Sequence, residues 1–231
     1  MFVSAVIAAA GKGKRMQSYI NKQYLPLLGR PILAWTLEVF FASGLFHEVI
    51  VVVAPGEKQL LRRLVLEPYF MGEEVKIVVG GAERQHSVYN ALNSLDPQAK
   101  IVCIHDGARP LVTASILEAA IQGASRCGAA VSAVPVKDTI KEERHGFVAT
   151  TIPRSQLRAV HTPQCFERSL LERAHQEARN SGFCGTDDAS LVEHLGEKVC
   201  FTKGSYENIK VTTPEDILIA EAFLKQRRVK E

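Results

Sequence analysis

The chain predicts an α/β fold: a single Rossmann-like domain spanning 1–231, with a mostly parallel sheet flanked by helices and a protruding β-arm suited to dimerisation. Three observations carry this. Apolar, β-branched runs alternate with stretches of helical spacing, the rhythm of a parallel sheet with crossover helices. The strand candidates are almost continuously apolar, which means burial on both faces. One segment, residues 136–160, breaks the rhythm with alternating charged and apolar residues.

Taken in order, Phe2–Ala8, Glu48–Ala54, Val75–Val79, Lys100–His105 and Ala129–Val134 read as strands. Helical spacing runs through Ile32–Ala42, Glu57–Leu66, Glu83–Leu95, Ala114–Arg126 and Glu215–Gln226, and Pro31 and Pro214 stand where a first helical turn tolerates proline. The excursion between Pro135 and Thr162 predicts a β-hairpin turning at His145-Gly146. A two-stranded arm is marginal alone, so a second subunit is the expected surface for it. No internal repeat or low-complexity tract is present, which excludes solenoids and arrays.

Composition narrows the class. Hydrophobic residues are 46% and charged residues 23% of the chain, ordinary for a globular protein with a real core. The net charge of +3 arises from 28 basic and 25 acidic residues spread along the chain, which excludes the polybasic arm of a nucleic-acid binder but leaves room for a local anion site. The opening Met-Phe-Val-Ser-Ala-Val-Ile lacks a basic leader and is too short to span a membrane, so no membrane partner and a cytoplasmic location are expected. Five cysteines without Cys-x-x-Cys spacing fit neither a disulfide framework nor a zinc site. His105 and His161 lie near candidate site residues but read as hydrogen-bonded structural histidines.

Parallel sheets bind ligands at the carboxyl ends of their strands. Four segments qualify: Ala9–Arg15, Gly80–Ser87, Asp106–Pro110 and the loop after Val134. In the first, small residues and glycines let backbone N–H groups approach phosphates, with Lys14, Arg15 and Lys22 adding charge. The pattern is neither a P-loop nor a full dinucleotide fingerprint.

Ala9-Ala10-Gly11-Lys12-Gly13-Lys14-Arg15-Met16, followed by Asn21-Lys22-Gln23-Tyr24-Leu25, resembles the opening signature of nucleotidyltransferases that activate sugar or polyol phosphates. The Lys-Gln-Tyr element narrows the resemblance to the cytidylyltransferases of the methylerythritol phosphate pathway and their ribitol phosphate relatives. Three further motifs agree: Gly80-Gly81-Ala82-Glu83-Arg84-Gln85-His86-Ser87-Val88, His105-Asp106-Gly107-Ala108-Arg109-Pro110, and Asn208-Ile209-Lys210-Val211-Thr212-Thr213-Pro214-Glu215-Asp216.

The resemblance implies transfer of CMP from CTP to 2-C-methyl-D-erythritol 4-phosphate with release of pyrophosphate, Mg²⁺ as cofactor, and a homodimer with arm exchange. By motif position Arg15 and Lys22 are implied transition-state stabilisers, and Arg154 and Lys210 are implied to hold the attacking phosphate. Ala9, Ala10, Gly11, Gly13, Gly80, Gly81 and Ser87 would shape the nucleotide pocket, and Arg109, Thr139, Thr162 and Thr186 would contact the acceptor. Asp106 is the implied metal ligand, with Glu207 a second candidate, since Mg²⁺ commonly takes one or two carboxylates beside substrate oxygens. A ribitol 5-phosphate enzyme is the alternative, but those relatives tend to carry a bulkier residue at the Ala108 place and Gly-Gly at the Ala9-Ala10 place. A non-catalytic homologue is disfavoured by the retention of Arg15, Lys22, Asp106 and Lys210 together.

Overall fold

The computed structural model describes residues 1–11 and 20–229, the Arg228 side chain excepted. The chain begins with strand β1 (Val3–Ala9), a small ribbon of β2 (Pro26–Leu27) and β3 (Arg30–Pro31), helix α1 (Ile32–Ala42) and β4 (Glu48–Val53). Next come α2 (Lys58–Leu61), a π-helical stretch Arg62–Leu66, α3 (Glu67–Tyr69), β5 (Val75–Val79), α4 (Arg84–Leu92), β6 (Ile101–Asp106), α5 (Ala114–Cys127) and β7 (Ala129–Pro135). The arm is β8 (Ile140–Arg144) and β9 (Phe147–Ile152), after which β10 (Arg158–Glu167), α6 (Arg168–Ser181), α7 (Asp188–His194), β11 (Cys200–Lys203) and α8 (Pro214–Arg228) complete the chain.

The seven-stranded sheet has the order β11-β7-β10-β6-β1-β4-β5. β1 pairs in parallel with both β4 and β6, β4 with β5, and β7 with β11. The exception is β10, antiparallel to β6 and β7. The chain moves from β1 toward β5 on one side and resumes at β6 on the other, so the direction reverses beside β1 and opens a crevice at the carboxyl ends of β1 and β6.

Burial follows the period of two along β1. Val3, Ala5, Ile7 and Ala9 face a core built with Leu33, Leu37 and Phe40 of α1 and Leu117 and Ala120 of α5. Val6 faces the opposite core, with Val88 and Ala91 of α4, Leu171 and Ala174 of α6, and Val192 of α7. The sheet is thus covered on both sides, as its apolar strands required.

All five strands expected from the sequence are present. The helix expected over Glu57–Leu66 is present: the chain stays helical from Lys58 to Tyr69, with the π-helical stretch Arg62–Leu66 set between α2 and α3. Pro68 offers no N–H to continue an α-helical ladder, and the wider turn stands directly before it. The arm turns at His145-Gly146 with φ of 54° and 84°, and Arg144 pairs with Phe147 across it. Positive φ at both central residues is what a type I′ two-residue hairpin turn demands.

Candidate active site

At the end of β1, Ala8 pairs in register with Asp106, the last residue of β6. Gly107 N donates to the Ala8 carbonyl at 3.0 Å, and a Cβ on Gly107 would meet Leu33 Cδ1 at 2.9 Å, so the chain passes closely over β1 here. The 3₁₀ turn Lys22–Tyr24 is pinned to the same strand end, with Gln23 Nε2 donating to the Ala9 carbonyl at 2.5 Å. Beside β5, a Cβ on Gly80 would lie 2.7 Å from both Ala10 Cβ and Ser87 Oγ. Absence of that Cβ lets the loop after β5 close on the first loop. Ser87 Oγ then accepts from Gly81 N at 3.1 Å and donates to the Glu83 carbonyl at 3.1 Å.

Asp106 gathers the charge. Its Oδ2 meets Lys210 Nζ at 2.9 Å and Arg109 Nε at 3.3 Å, while Oδ1 faces Arg84 Nε at 3.9 Å. Burial alone would raise this carboxyl, but Lys210, Arg84 and Arg109 outweigh it and hold the group well below the usual carboxylate range. The ionised form is favoured. Asp106 N also donates to Thr162 Oγ1 at 3.0 Å, which joins β10 to the cluster.

Lys210 is delivered by a stretch without regular structure that the backbone nevertheless fixes. Val211 N donates to the Ala108 carbonyl at 2.8 Å, Arg109 Nη1 to the Asn208 carbonyl at 2.8 Å, and Asn208 Nδ2 to the Thr162 carbonyl at 2.8 Å. Lys22 Nζ donates to the Val211 carbonyl at 2.7 Å, so two lysines from opposite ends of the chain converge on one edge.

Of the residues singled out in the sequence, Ala9, Ala10, Gly80, Gly81, Ser87, Lys22, Asp106, Arg109, Thr162 and Lys210 lie along this edge or are bonded to it. Gly11 is exposed just after β1, while Gly13 and Arg15 lie outside the described residues. Thr186 is exposed just before α7. Thr139 is exposed at the foot of the arm, and Arg154 donates to the Lys137 carbonyl at 2.8 Å, closing the arm's base and not reaching the Asp106 cluster. Glu207 Oε2 pairs with Arg227 Nη2 at 2.9 Å, and the same guanidinium nitrogen donates to the Leu111 carbonyl.

His105 is fully buried, its Nε2 bonded to the Arg109 carbonyl at 3.3 Å and its ring against Phe40. Burial pushes it down to about 4 against the pull of Asp106, so it is a neutral packing residue. Sequence reasoning gave no role to Arg84, Asn208 or Asp188. Arg84 and Asn208 stood inside motifs already noticed; Asp188 had no local signal, because its partner Arg84 is 104 positions away.

A family model described as 2-C-methyl-D-erythritol 4-phosphate cytidylyltransferase matches residues 3–226. The protein of that name from Caldanaerobacter subterraneus subsp. tengcongensis is 47% identical over 227 residues, covering 98% of this chain and 100% of its own. That from Bacillus velezensis is 49% identical over 221 residues, covering 95% and 94%. Among solved structures, 4-diphosphocytidyl-2C-methyl-D-erythritol synthase from Anaerococcus prevotii superposes with a TM-score of 0.86 at 32% identity, over 97% of this chain and 98% of that one. The 2-C-methyl-D-erythritol 4-phosphate cytidylyltransferase of Thermus thermophilus gives 0.81 at 35% identity, over 97% and 100%. With sequence and fold agreeing over nearly its whole length, the chain belongs to the 2-C-methyl-D-erythritol 4-phosphate cytidylyltransferase family.

Proposed function

We propose that this chain transfers CMP from CTP to 2-C-methyl-D-erythritol 4-phosphate, releasing pyrophosphate and forming 4-diphosphocytidyl-2-C-methyl-D-erythritol. The observation that carries the reading is Asp106 with Lys210, Arg109 and Arg84 around it at the crevice between β1 and β6. A phosphate oxygen of the acceptor attacks the α-phosphorus of CTP; that P–O bond forms as the bond to the β-phosphate oxygen breaks, and pyrophosphate departs with the electron pair. Charge grows on the non-bridging oxygens and the leaving group, so the catalysis needed is placement of cations. Lys22 and Lys210 supply two, fixed to one backbone segment, and Arg15 is assigned a third role beside them by its motif.

The residues present fit a Mg²⁺ ion. Lys210, Arg84 and Arg109 favour the ionised form of Asp106, and Lys210 and Arg109 both contact its Oδ2, while Oδ1 stands 3.9 Å from Arg84 Nε, outside hydrogen-bond distance. Among the described residues no group of three or more His, Cys, Asp or Glu side chains could hold a metal unaided, so phosphate oxygens would complete the coordination. When bound, the ion would neutralise charge on the triphosphate. Glu207, engaged by Arg227, is a weaker candidate for a second ligand.

The chain works as one nucleotidyltransferase unit, a reading supported by the family match from 3 to 226. The arm exposes Phe147 at 78% and Val148 at 65%, too much apolar surface for a two-stranded ribbon to leave in water. A homodimer with exchanged arms would cover it and bring Thr139 and Arg154 to the partner's acceptor phosphate. No described helix is long and apolar enough to cross a membrane. Both substrates are charged phosphates that a bilayer retains, which supports action in the cytoplasm.

The test is incubation of the purified protein with CTP, Mg²⁺ and either methylerythritol phosphate or ribitol 5-phosphate while pyrophosphate is followed. Release with methylerythritol phosphate is expected; preference for ribitol 5-phosphate would overturn the choice of acceptor.

A further inference from the structure

Behind Asp106 lies a second buried carboxylate that the transfer chemistry does not use. Asp188 opens α7 with its side chain 1% exposed. It does not cap that helix: Asp187 does, accepting from Ser190 N at 2.9 Å. Gln164 fixes the turn by donating to Asp187 Oδ2 at 2.7 Å and accepting from Ala189 N at 3.2 Å. On this rigid backbone Asp188 Oδ2 accepts from Arg84 Nη1 at 2.6 Å, while Oδ1 lies 3.7 Å from Nε2 of the fully buried His175.

Arg84 is therefore shared between two carboxylates, unequally. It bonds Asp188, but its Nε stops 3.9 Å short of Asp106 Oδ1, beyond hydrogen-bond distance. Lys210 and Arg109 both take Oδ2, so among the described residues Arg84 is the cation that faces Oδ1. A guanidinium this near a carboxylate closes into a direct pair unless something holds it. Asp188 is what holds it.

We propose that Asp188 is a positioning residue of the transfer site: by retaining Arg84 it keeps Asp106 Oδ1 open to Mg²⁺ and to the phosphates of CTP. The proposal rests on the site assignment under Proposed function. It differs from a purely structural weld of α4 to α7 in acting entirely through the charge of Arg84.

The test uses the full chain as parent, Asp188→Asn, Arg84→Gln and the double variant. Calorimetric binding of CTP over a range of Mg²⁺ without acceptor is paired with pyrophosphate release with acceptor. Outer-shell partners of metal ligands are worth about 10–100-fold in metal affinity, so Asp188→Asn is expected to raise half-saturating Mg²⁺ about tenfold while kcat at saturating Mg²⁺ stays within about twofold. In the Arg84→Gln background the same substitution is expected to move half-saturation by less than about twofold. A folded Asp188→Asn protein with parental Mg²⁺ dependence overturns the proposal, as does an equal shift in both backgrounds. Should Asp188→Asn alone fold poorly, Asp188→Ser replaces it in the same two backgrounds: a shift in the parent that is lost beside Arg84→Gln supports the proposal, and parental Mg²⁺ dependence or an equal shift in both overturns it. A parent that neither binds CTP with Mg²⁺ nor releases pyrophosphate would remove the site assignment itself.

Discussion

Replacing Lys210 with methionine keeps most of the aliphatic stem and removes the ammonium that sits 2.9 Å from Asp106 Oδ2. Two effects follow, of different size. A fixed cation aimed at charge that develops in the transition state is worth about 3 kcal/mol, which at 1.36 kcal/mol per decade is about 150-fold in kcat. The stability effect is smaller, because the Lys210 side chain is 39% exposed and solvent screens its attraction to Asp106. Such pairs contribute roughly 0–1 kcal/mol, or about 2–4 °C in Tm at the upper end for a chain of this size. Steady-state pyrophosphate release with CTP and acceptor varied separately, together with a thermal melt, reads both. The expected result is a kcat loss of about 150-fold, a KM for CTP within about threefold, and a small change in Tm. A loss confined to KM would make Lys210 a uniform binder, and a collapsed Tm would make it a structural residue; either refutes the reasoning.

Gly80→Ala places a methyl 2.7 Å from Ala10 Cβ and Ser87 Oγ, and overpacking of about 1–3 kcal/mol should raise the KM for CTP by about tenfold with kcat little changed; an unchanged KM would separate this contact from the nucleotide pocket. His105 is held down to about 4 by burial, against about 6.5 when unfolded, so the unfolded chain binds the extra proton and stability falls as pH drops from 6.5 toward 4, by on the order of 3 kcal/mol. Urea unfolding across that window should show the loss, to which His161, also pushed down to about 4 by burial, adds, and His105→Asn should reduce the slope; an identical slope in the variant would assign it elsewhere. Mixing Arg154→Ala with Lys22→Ala chains, each nearly inactive alone, should restore activity if arms are exchanged, and heterodimers confirmed by mass that stay inactive would confine each arm to its own subunit.

The apolar strands made half of the fold legible: β1, β4, β5, β6 and β7 are predominantly apolar runs with only isolated polar residues such as Ser4, Lys76 and Ser132, a pattern that strands of a sheet covered on both faces require. β10 is not legible in this way, because Arg158, His161, Pro163 and Gln164 interrupt any apolar pattern, and its antiparallel place between β6 and β7 is a tertiary fact. α6 did carry a signal in Leu170, Leu171, Ala174 and Ala178, one buried stripe at helical spacing. The convergence of the proposed site was legible where its parts lay in short motifs, as with Asp106 and Arg109, which meet at 3.3 Å. It was opaque where residues far apart in the chain pair: Glu207 with Arg227, and Asp188 with Arg84.

The most direct measurement follows one oxygen. With methylerythritol phosphate carrying ¹⁸O at its non-bridging phosphate oxygens and unlabelled CTP, the enzyme should place ¹⁸O in the new P–O–P bridge. Phosphorus NMR of the product should then show an isotope shift at both phosphorus atoms, while the released pyrophosphate stays unlabelled. Label in pyrophosphate, or a cytidylyl phosphorus bonded to no ¹⁸O, would contradict attack by the acceptor phosphate on the α-phosphorus and with it the assignment of this site.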